Sequence, residues 1–209
     1  MFIPPKKAAE PDDELARSII TAEFGYIAQT AFQANEDRAR AWQYFFVTFA
    51  TLIAALLSTQ VAAAVRQQLY LTFVVIFSLL AVLGLITVIQ LVRLRQAWLE
   101  SVRAMNQIKE RLIADDPKLA GYFRWRVETI PPAFKWRSFG FLQAMSVGLL
   151  SGLAAGAAMA FGALARGELV VPWALSLLTA GAAAAGIIWL GYVRPLMATP
   201  PPPPGPELK

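Results

Sequence analysis

Residues 68–114 read QLYLTFVVIFSLLAVLGLITVIQLVRLRQAWLESVRAMNQIKERLIA, a run that holds no proline and a single glycine, Gly84. Its first half is apolar without a charge and its second half alternates basic, acidic and apolar residues. The stretch before it has the same make-up in reverse order: from Asp12 to Asp116 there is no proline, and the only glycines are Gly25 and Gly84. Without a breaker, such a run favours continuous helix. The spacing predicts one long hairpin, its first arm over 13–64, its turn at 65–67 and its second arm over 68–114. At 1.5 Å per residue each arm is roughly 70 to 78 Å long, more than twice the hydrocarbon thickness of a bilayer. Only the apolar part of each arm, next to the turn, can lie in lipid, so both arms are expected to leave the membrane on the same side.

Further along the chain there are two more apolar stretches. With 57% hydrophobic residues among 209 and a positive mean hydropathy, the chain belongs with helical membrane proteins rather than soluble domains. Four segments account for this, at 42–63, 69–92, 139–165 and 171–193, none with a charged residue or histidine. A charge at the bilayer centre costs roughly 3 kcal/mol on the insertion scale, so all four are expected to insert unaided. Arg66 and Arg166 are the basic residues of the two turns, and the rest of the 19 Lys and Arg fall on the other face. The excess of positive charge places both termini and the middle segment in the cytoplasm. The expected architecture is all-α: an integral membrane four-helix protein whose long hairpin extends into a cytoplasmic stalk, in a bacterial inner membrane. Residues 1–12, rich in proline, read as a mobile segment, and Met1-Phe2-Ile3-Pro4-Pro5-Lys6-Lys7 followed by acids lacks the pattern expected of a cleavable leader.

Outside lipid the arms need partners. Ala16, Ile20, Phe24, Ile27 and Ala31 make an apolar stripe on the first, and Leu94, Trp98, Val102, Met105, Ile108 and Leu112 make one on the second. The two stripes suit an antiparallel pair. Glu36 and Arg40 form a helix-supporting i, i+4 pair, while Arg38, Arg40, Arg93 and Arg95 can snorkel at the bilayer edge. Residues 115–138 read as a connector, with Asp116 capping and Pro117 opening a short helix. Arg124, Trp125, Arg126 and Trp136 mix aromatic rings with basic heads, which suits the headgroup layer. The same mixture can stack on and neutralise a nucleotide, although no nucleic-acid partner is needed to explain the net charge of +5.

Span 139–165 carries Ala144, Gly148, Gly152, Gly156 and Ala160, a small residue at every fourth position. Such a row lets helix backbones approach closely. Ser176, Ala180 and Ala184, with Gly181 and Ala185 beside them, offer a complementary surface on the fourth span. The row suits packing within the second hairpin, 139–194, or a contact between subunits. From residue 195 to 209 the chain reads as a proline-rich tail.

Catalytic chemistry has little to stand on. Absence of histidine and cysteine excludes a Ser-His-Asp triad, a Cys-His pair and a His-based metal site, and no cofactor is implied. One pattern points to conduction. Glu23, Ile27, Thr30, Ala34, Asp37, Ala41, Tyr44, Thr48, Thr51, Ala55 and Ser58 alternate spacings of 4 and 3, small or hydroxylated within lipid and acidic outside it. Turned to a common axis by several copies, Thr48, Thr51 and Ser58 would line a narrow passage, with Asp37 and Glu23 as acidic rings at its mouth. Hydroxyls also pack between helices and bond back to their own backbone, and that reading stays open beside the pore.

The segment Asn35-Glu36-Asp37-Arg38-Ala39-Arg40-Ala41-Trp42 leading into span one, and the helix over 93–111 after span two, give the first 115 or so residues a layout that resembles the SLATT family of prokaryotic membrane effectors. The resemblance implies a membrane part that acts as a pore-forming effector in conflict systems; it assigns no individual residue a role. The stretches 33–40 and 123–132 are also similar to those of uncharacterised bacterial four-span membrane proteins. The functional expectation is an oligomeric helical membrane module with span one lining a passage; the alternative is a non-conducting scaffold or accessory subunit that holds a cytoplasmic protein through its stalk.

Overall fold

An unbroken apolar-to-polar run with no internal proline leaves the backbone no reason to stop, and two helices of unusual length result. The structure, a computed structural model, describes residues 11–58, 66–168, 170 and 172–200. Helix α1 spans Pro11–Leu57 and α2 spans Arg66–Asp115. Two short 3₁₀ turns follow, Pro117–Gly121 and Val127–Thr129, and then α3 at Phe139–Ala165, α4 at Trp173–Gly186, a π-helical segment at Ile187–Val193 and α5 at Arg194–Met197. All regular structure among the described residues is helical. Four of the helices, Glu14–Leu57, Gln67–Asp115, Phe139–Ala165 and Trp173–Met197, are long and apolar enough to cross a membrane. The N-terminal segment, the hairpin turn through residue 65 and the tail from residue 201 fall, in whole or in large part, outside the described residues.

The chain forms two compact units. The first takes residues 11–33 of α1 and residues 98–130. Ile27 and Ala31 of α1 and Leu99, Ser101 and Asn106 of α2 are buried in it. The fully buried positions of α2 therefore lie beside the apolar stripe, whose members Trp98, Val102, Met105, Ile108 and Leu112 are each only half-buried. A second contact face explains the offset. The segment after α2 docks on the same helix: Lys109 Nζ donates to Trp125 O at 3.4 Å, and Arg126 grips Glu110 with both arms of its guanidinium, at 3.0 and 2.7 Å. Lys109 also lies 5.9 Å from the Phe24 ring centre and 6.0 Å from that of Phe123, so one cation serves α1 and the connector together. The connector is divided between units, with residues to 130 in the first and those from 131 in the second.

The second unit comprises residues 34–97 and 131–201. Its larger core cluster joins Ala41 and Phe45 of α1, Val88, Leu91 and Val92 of α2, Phe141, Ala144 and Val147 of α3, and Tyr192, Val193 and Leu196. A smaller cluster is centred on Phe77, Leu80 and Ala154, where the rings of Phe77 and Phe161 stack at 5.6 Å. Helix α3 lies along α4 through the face that carries Gly148, Gly152 and Gly156. A Cβ at Gly152 would come within 2.6 Å of Ala184 Cβ, and one at Gly156 within 2.7 Å of Ser176 O. Gly84, inside α2, is a close approach of the same kind: a Cβ there would fall against the Ser151 side chain and 3.2 Å from Phe45.

The end of the fourth helix differs from the sequence expectation. Arg194-Pro195 reads as a stop, yet helix continues to Met197 and buries Leu196. The preceding turn is widened, with Arg194 N–H bonding to Trp189 O, five residues back. Proline sits in the first turn of α5, where its missing N–H is tolerated. Residues 195–200 thus belong to the second unit, and Thr199 accepts a 3.4 Å hydrogen bond from Gln96.

Candidate functional site

The stripe along α1 divides into covered and open positions. Ile27, Ala34 and Ala41 are buried, whereas Tyr44, Thr48, Thr51, Ala55 and Ser58 are exposed. Ala41 and Phe45 pack into the core cluster, while Tyr44 and Thr48, on the same side of the helix, stay exposed. Ser58 Oγ donates to Ala55 O at 2.8 Å, the back-bond open to any helical serine. Glu23 belongs to the first unit and is exposed there; Asp37 belongs to the second.

In the second unit, part of this open face meets α2 to form a cleft of about 440 Å³. Asp37, Arg40, Ala41, Tyr44, Phe45 and Thr48 line it from α1, and Leu83, Thr87, Gln90 and Leu94 line it from α2. From Asp37 to Thr48 it follows about 16 Å of helix. Its charged end holds an ion pair, Arg40 to Asp37 at 3.6 Å, and Arg40 also reaches Glu36 at 3.5 Å. Its middle is hydroxyl and amide. Thr87 bonds back to Leu83 O at 2.8 Å, while Gln90 is exposed on an otherwise apolar length of α2. Thr87 and Gln90 are the lining residues that the α1 stripe could not supply. Their spacing with Leu83 and Leu94, of 4, 3 and 4, marks one face of α2, but sequence alone does not set it beside Asp37 and Thr48.

The other expected site residues fall in separate places. Ala144 and Gly148, Gly152 and Gly156 are buried on α3, and Ala160 is half-buried. Ser176, Ala180, Ala184 and Ile188 are their neighbours, while a Cβ on Gly181 would meet nothing within 4 Å. Arg124 and Trp125 are exposed in the first unit. Arg126, half-buried, is engaged by Glu110, and this fork holds the Glu110 carboxyl below the usual carboxylate range. Trp136, in the second unit, packs edge-on against Phe134 and Phe141 with ring centres 5.0 Å apart in both cases. Among the described residues no group of three or more acids could hold a metal ion. What the cleft offers is a polar lane on an apolar surface, able to hydrate or coordinate a small solute.

Comparison of the chain with protein families, curated proteins and solved structures finds no match.

Proposed function

We propose that the protein is an oligomeric helical membrane module, channel-like, in which copies turn the open face of α1 toward a common passage. The single observation that supports this most is the exposure of Tyr44, Thr48, Thr51 and Ser58 on α1, continued by Gln90 on α2, within a unit whose small-residue face is already covered by α4. Polar groups at membrane depth gain from a protein or water neighbour in place of acyl chains. Elsewhere this unit exposes large apolar residues, among them Leu71, Val75, Leu79, Val82, Ile86 and Ile89 on α2 and Leu142, Leu149 and Leu153 on α3. Apolar exposure of that extent fits a bilayer better than water. The reading places both termini in the cytoplasm of a bacterial inner membrane, following the distribution of Lys and Arg, and makes the SLATT-like layout that of a pore-forming effector.

In this arrangement Asp37 stands at the mouth of the passage, and its bridge to Arg40 tempers the acidic ring it would otherwise form. A second reading, a non-conducting scaffold or accessory subunit, draws support from the first unit, where Tyr122 and Trp125 are 82% and 61% exposed beside Arg124. Aromatic rings with basic heads make a serviceable surface for a cytoplasmic protein. Ion flux through proteoliposomes separates the two. Passage that Thr51→Phe reduces tenfold or more, with the oligomer intact, is the expected outcome for a lining face. A folded oligomer that passes no ions, or one in which Thr51→Phe changes nothing, leaves the scaffold.

A further inference from the structure

The cleft between α1 and α2 changes character along its length. At one end Arg40 stands 3.6 Å from Asp37 and 3.5 Å from Glu36, so charges of both signs share a small space. From there the lining follows about 16 Å of α1 to Thr48 and, on α2, passes from Leu94 through Gln90 and Thr87 to Leu83. The helices run antiparallel, since Ala41 and Phe45 share a core cluster with Val88, Leu91 and Val92, while Leu52, Ile53 and Leu56 pack around Phe77 and Leu80. Leu94 therefore belongs to the charged end and Leu83 to the Thr48 end. The apolar part of α1 begins at Trp42, which leaves Asp37 and Arg40 outside it and Thr48 within. A length of about 16 Å is close to half of the roughly 30 Å hydrocarbon core, the depth of one leaflet. Polarity falls in the same direction. After the ions come the Gln90 amide and the Tyr44 phenol, both exposed. Beyond them are Phe45, Leu83 and Thr87, whose hydroxyl is already bonded to Leu83 O at 2.8 Å, with Thr48 at the far end.

We propose that the cleft binds one phospholipid whose headgroup is a zwitterion with a primary amine, Arg40 holding the phosphate and Asp37 and Glu36 the ammonium. A guanidinium matches phosphate oxygens, and a primary ammonium donates N–H to carboxylates where a quaternary one has no hydrogen to give. A purely anionic headgroup sets its charge against both acids, so the mixed signs select against it. The ions are accessible to such a ligand. Arg40, Asp37 and Glu36 have side chains 61%, 38% and 46% exposed, and pairs this open contribute close to nothing, so exchanging them for a ligand costs little. Gln90 and Tyr44 follow at the level of the ester carbonyls, and an acyl chain continues along Phe45 and Leu83. The lipid source rests on the membrane reading above. Tyr44 and Thr48 also belong to the face turned toward the passage, so under that reading a seated lipid and a water-filled passage exclude each other there. The lipid is then a brake on flux.

The test titrates the full-length protein in detergent, by calorimetry, with the dihexanoyl forms of phosphatidylethanolamine, phosphatidylcholine and phosphatidylglycerol, and with phosphoethanolamine, which has no chains. Phosphatidylethanolamine is expected to bind with one site per chain, and the others at least about fivefold more weakly, the worth of one net hydrogen bond. Asp37→Asn and Arg40→Gln, both outside the core, are each expected to weaken it by about tenfold, the worth of a charge-assisted hydrogen bond. Arg93→Gln, exposed on α2 and outside the lining, is expected to leave it within about twofold. Equal binding of phosphatidylcholine or phosphatidylglycerol overturns the amine zwitterion, and comparable binding of phosphoethanolamine overturns the lipid source. Binding that ignores Asp37→Asn and Arg40→Gln, or that falls as far in Arg93→Gln, overturns the site. In proteoliposomes, flux is expected to fall severalfold as phosphatidylethanolamine replaces phosphatidylcholine, and Arg40→Gln to blunt that fall. A protein that passes no ions yet binds through Asp37 and Arg40 keeps the site and loses the passage. One that conducts alike in both lipids while binding as expected loses the brake, and one that conducts but binds neither lipid loses the site alone.

Discussion

The seam between α3 and α4 and the outer face of α1 are both made of small and hydroxylated residues, and they have opposite fates. At the seam, Gly148, Gly152 and Gly156 are buried so closely against α4 that a methyl group has no room. On α1, Tyr44, Thr48 and Thr51 stand open, and a cleft runs beside Tyr44 and Thr48. Composition does not distinguish the two. The difference is what each face meets: on α3 the small positions lie against α4, whereas on α1 Ala41 and Phe45 take the core contact and the hydroxyls beside them stay exposed. A small residue is structural where backbone meets backbone, and it is available for other use where a bulkier neighbour has already made the contact.

The largest expected effect comes from filling the seam. Gly152→Leu puts a side chain where Ala184 and the α4 backbone already lie, and overpacking of this kind costs at least about 3 kcal/mol. Thermal unfolding of the purified variant in detergent checks it, with a fall in melting temperature or loss of the folded protein as the outcome. Gly181→Leu, on the far side of the same helix, meets nothing within 4 Å and is expected to stay within about 0.5 kcal/mol of the parent. Equal damage from both substitutions would break the contrast, and damage from Gly181→Leu confined to the oligomer would move a subunit contact to the open side of α4.

Next in size is Gly84, where α2 is pressed closely against α3. Gly84→Ala drives a methyl into the Ser151 side chain, for an expected loss of about 1 to 3 kcal/mol. Because Ser151 contributes the clashing atoms, Ser151→Gly in the same chain is expected to restore most of the loss. A double-mutant cycle on unfolding measures that coupling. Additive losses would mean the pressure on Gly84 comes from Phe45, its neighbour at 3.2 Å, and not from α3.

How much of this was legible in the sequence follows the range of each interaction. The long helices are, because continuity is a local property: a run without proline states it outright. The apolar length of four helices is legible for the same reason. The periodic row of α3 and the Ser176, Ala180 and Ala184 surface of α4 are each visible as patterns, and a short loop between helices makes them neighbours. Gly84 is visible only as a glycine, since its meaning depends on Ser151, far along the chain. The π turn at Ile187–Val193 leaves no composition signal, and Arg194-Pro195 looks like an end when it is a passage. Lys109 and Glu110 sit on the polar side of their helix by pattern, and only the docked connector turns that side into an interior. The cleft shares this limit, for Thr87 and Gln90 join Asp37 and Thr48 through packing that neither helix encodes alone.

The smallest expected effects concern charge, where the same contrast between covered and open recurs. Arg40 reaches Asp37 at 3.6 Å with 61% and 38% of their side chains exposed, and such largely solvated pairs contribute close to nothing. Arg126 and Glu110 meet through two bonds, at 3.0 and 2.7 Å, with about a third and a quarter of their side chains exposed. Arg126→Gln is therefore expected to cost about 1 kcal/mol at neutral pH, and Arg40→Gln to leave unfolding unchanged. The two also differ in acid. Hydrogen bonding to Arg126 lowers the Glu110 pKa on folding, so the folded protein holds that proton less tightly than the unfolded chain. The stabilisation is complete above the ordinary glutamate value of 4.5 and fades as pH falls from there through the depressed value. Unfolding of wild type and Arg126→Gln, compared from neutral pH downward, is expected to show a gap that closes only in acid. A gap that persists there would make Arg126 a packing residue whose charge is incidental, and the covered pair would then differ from the open one in shape alone.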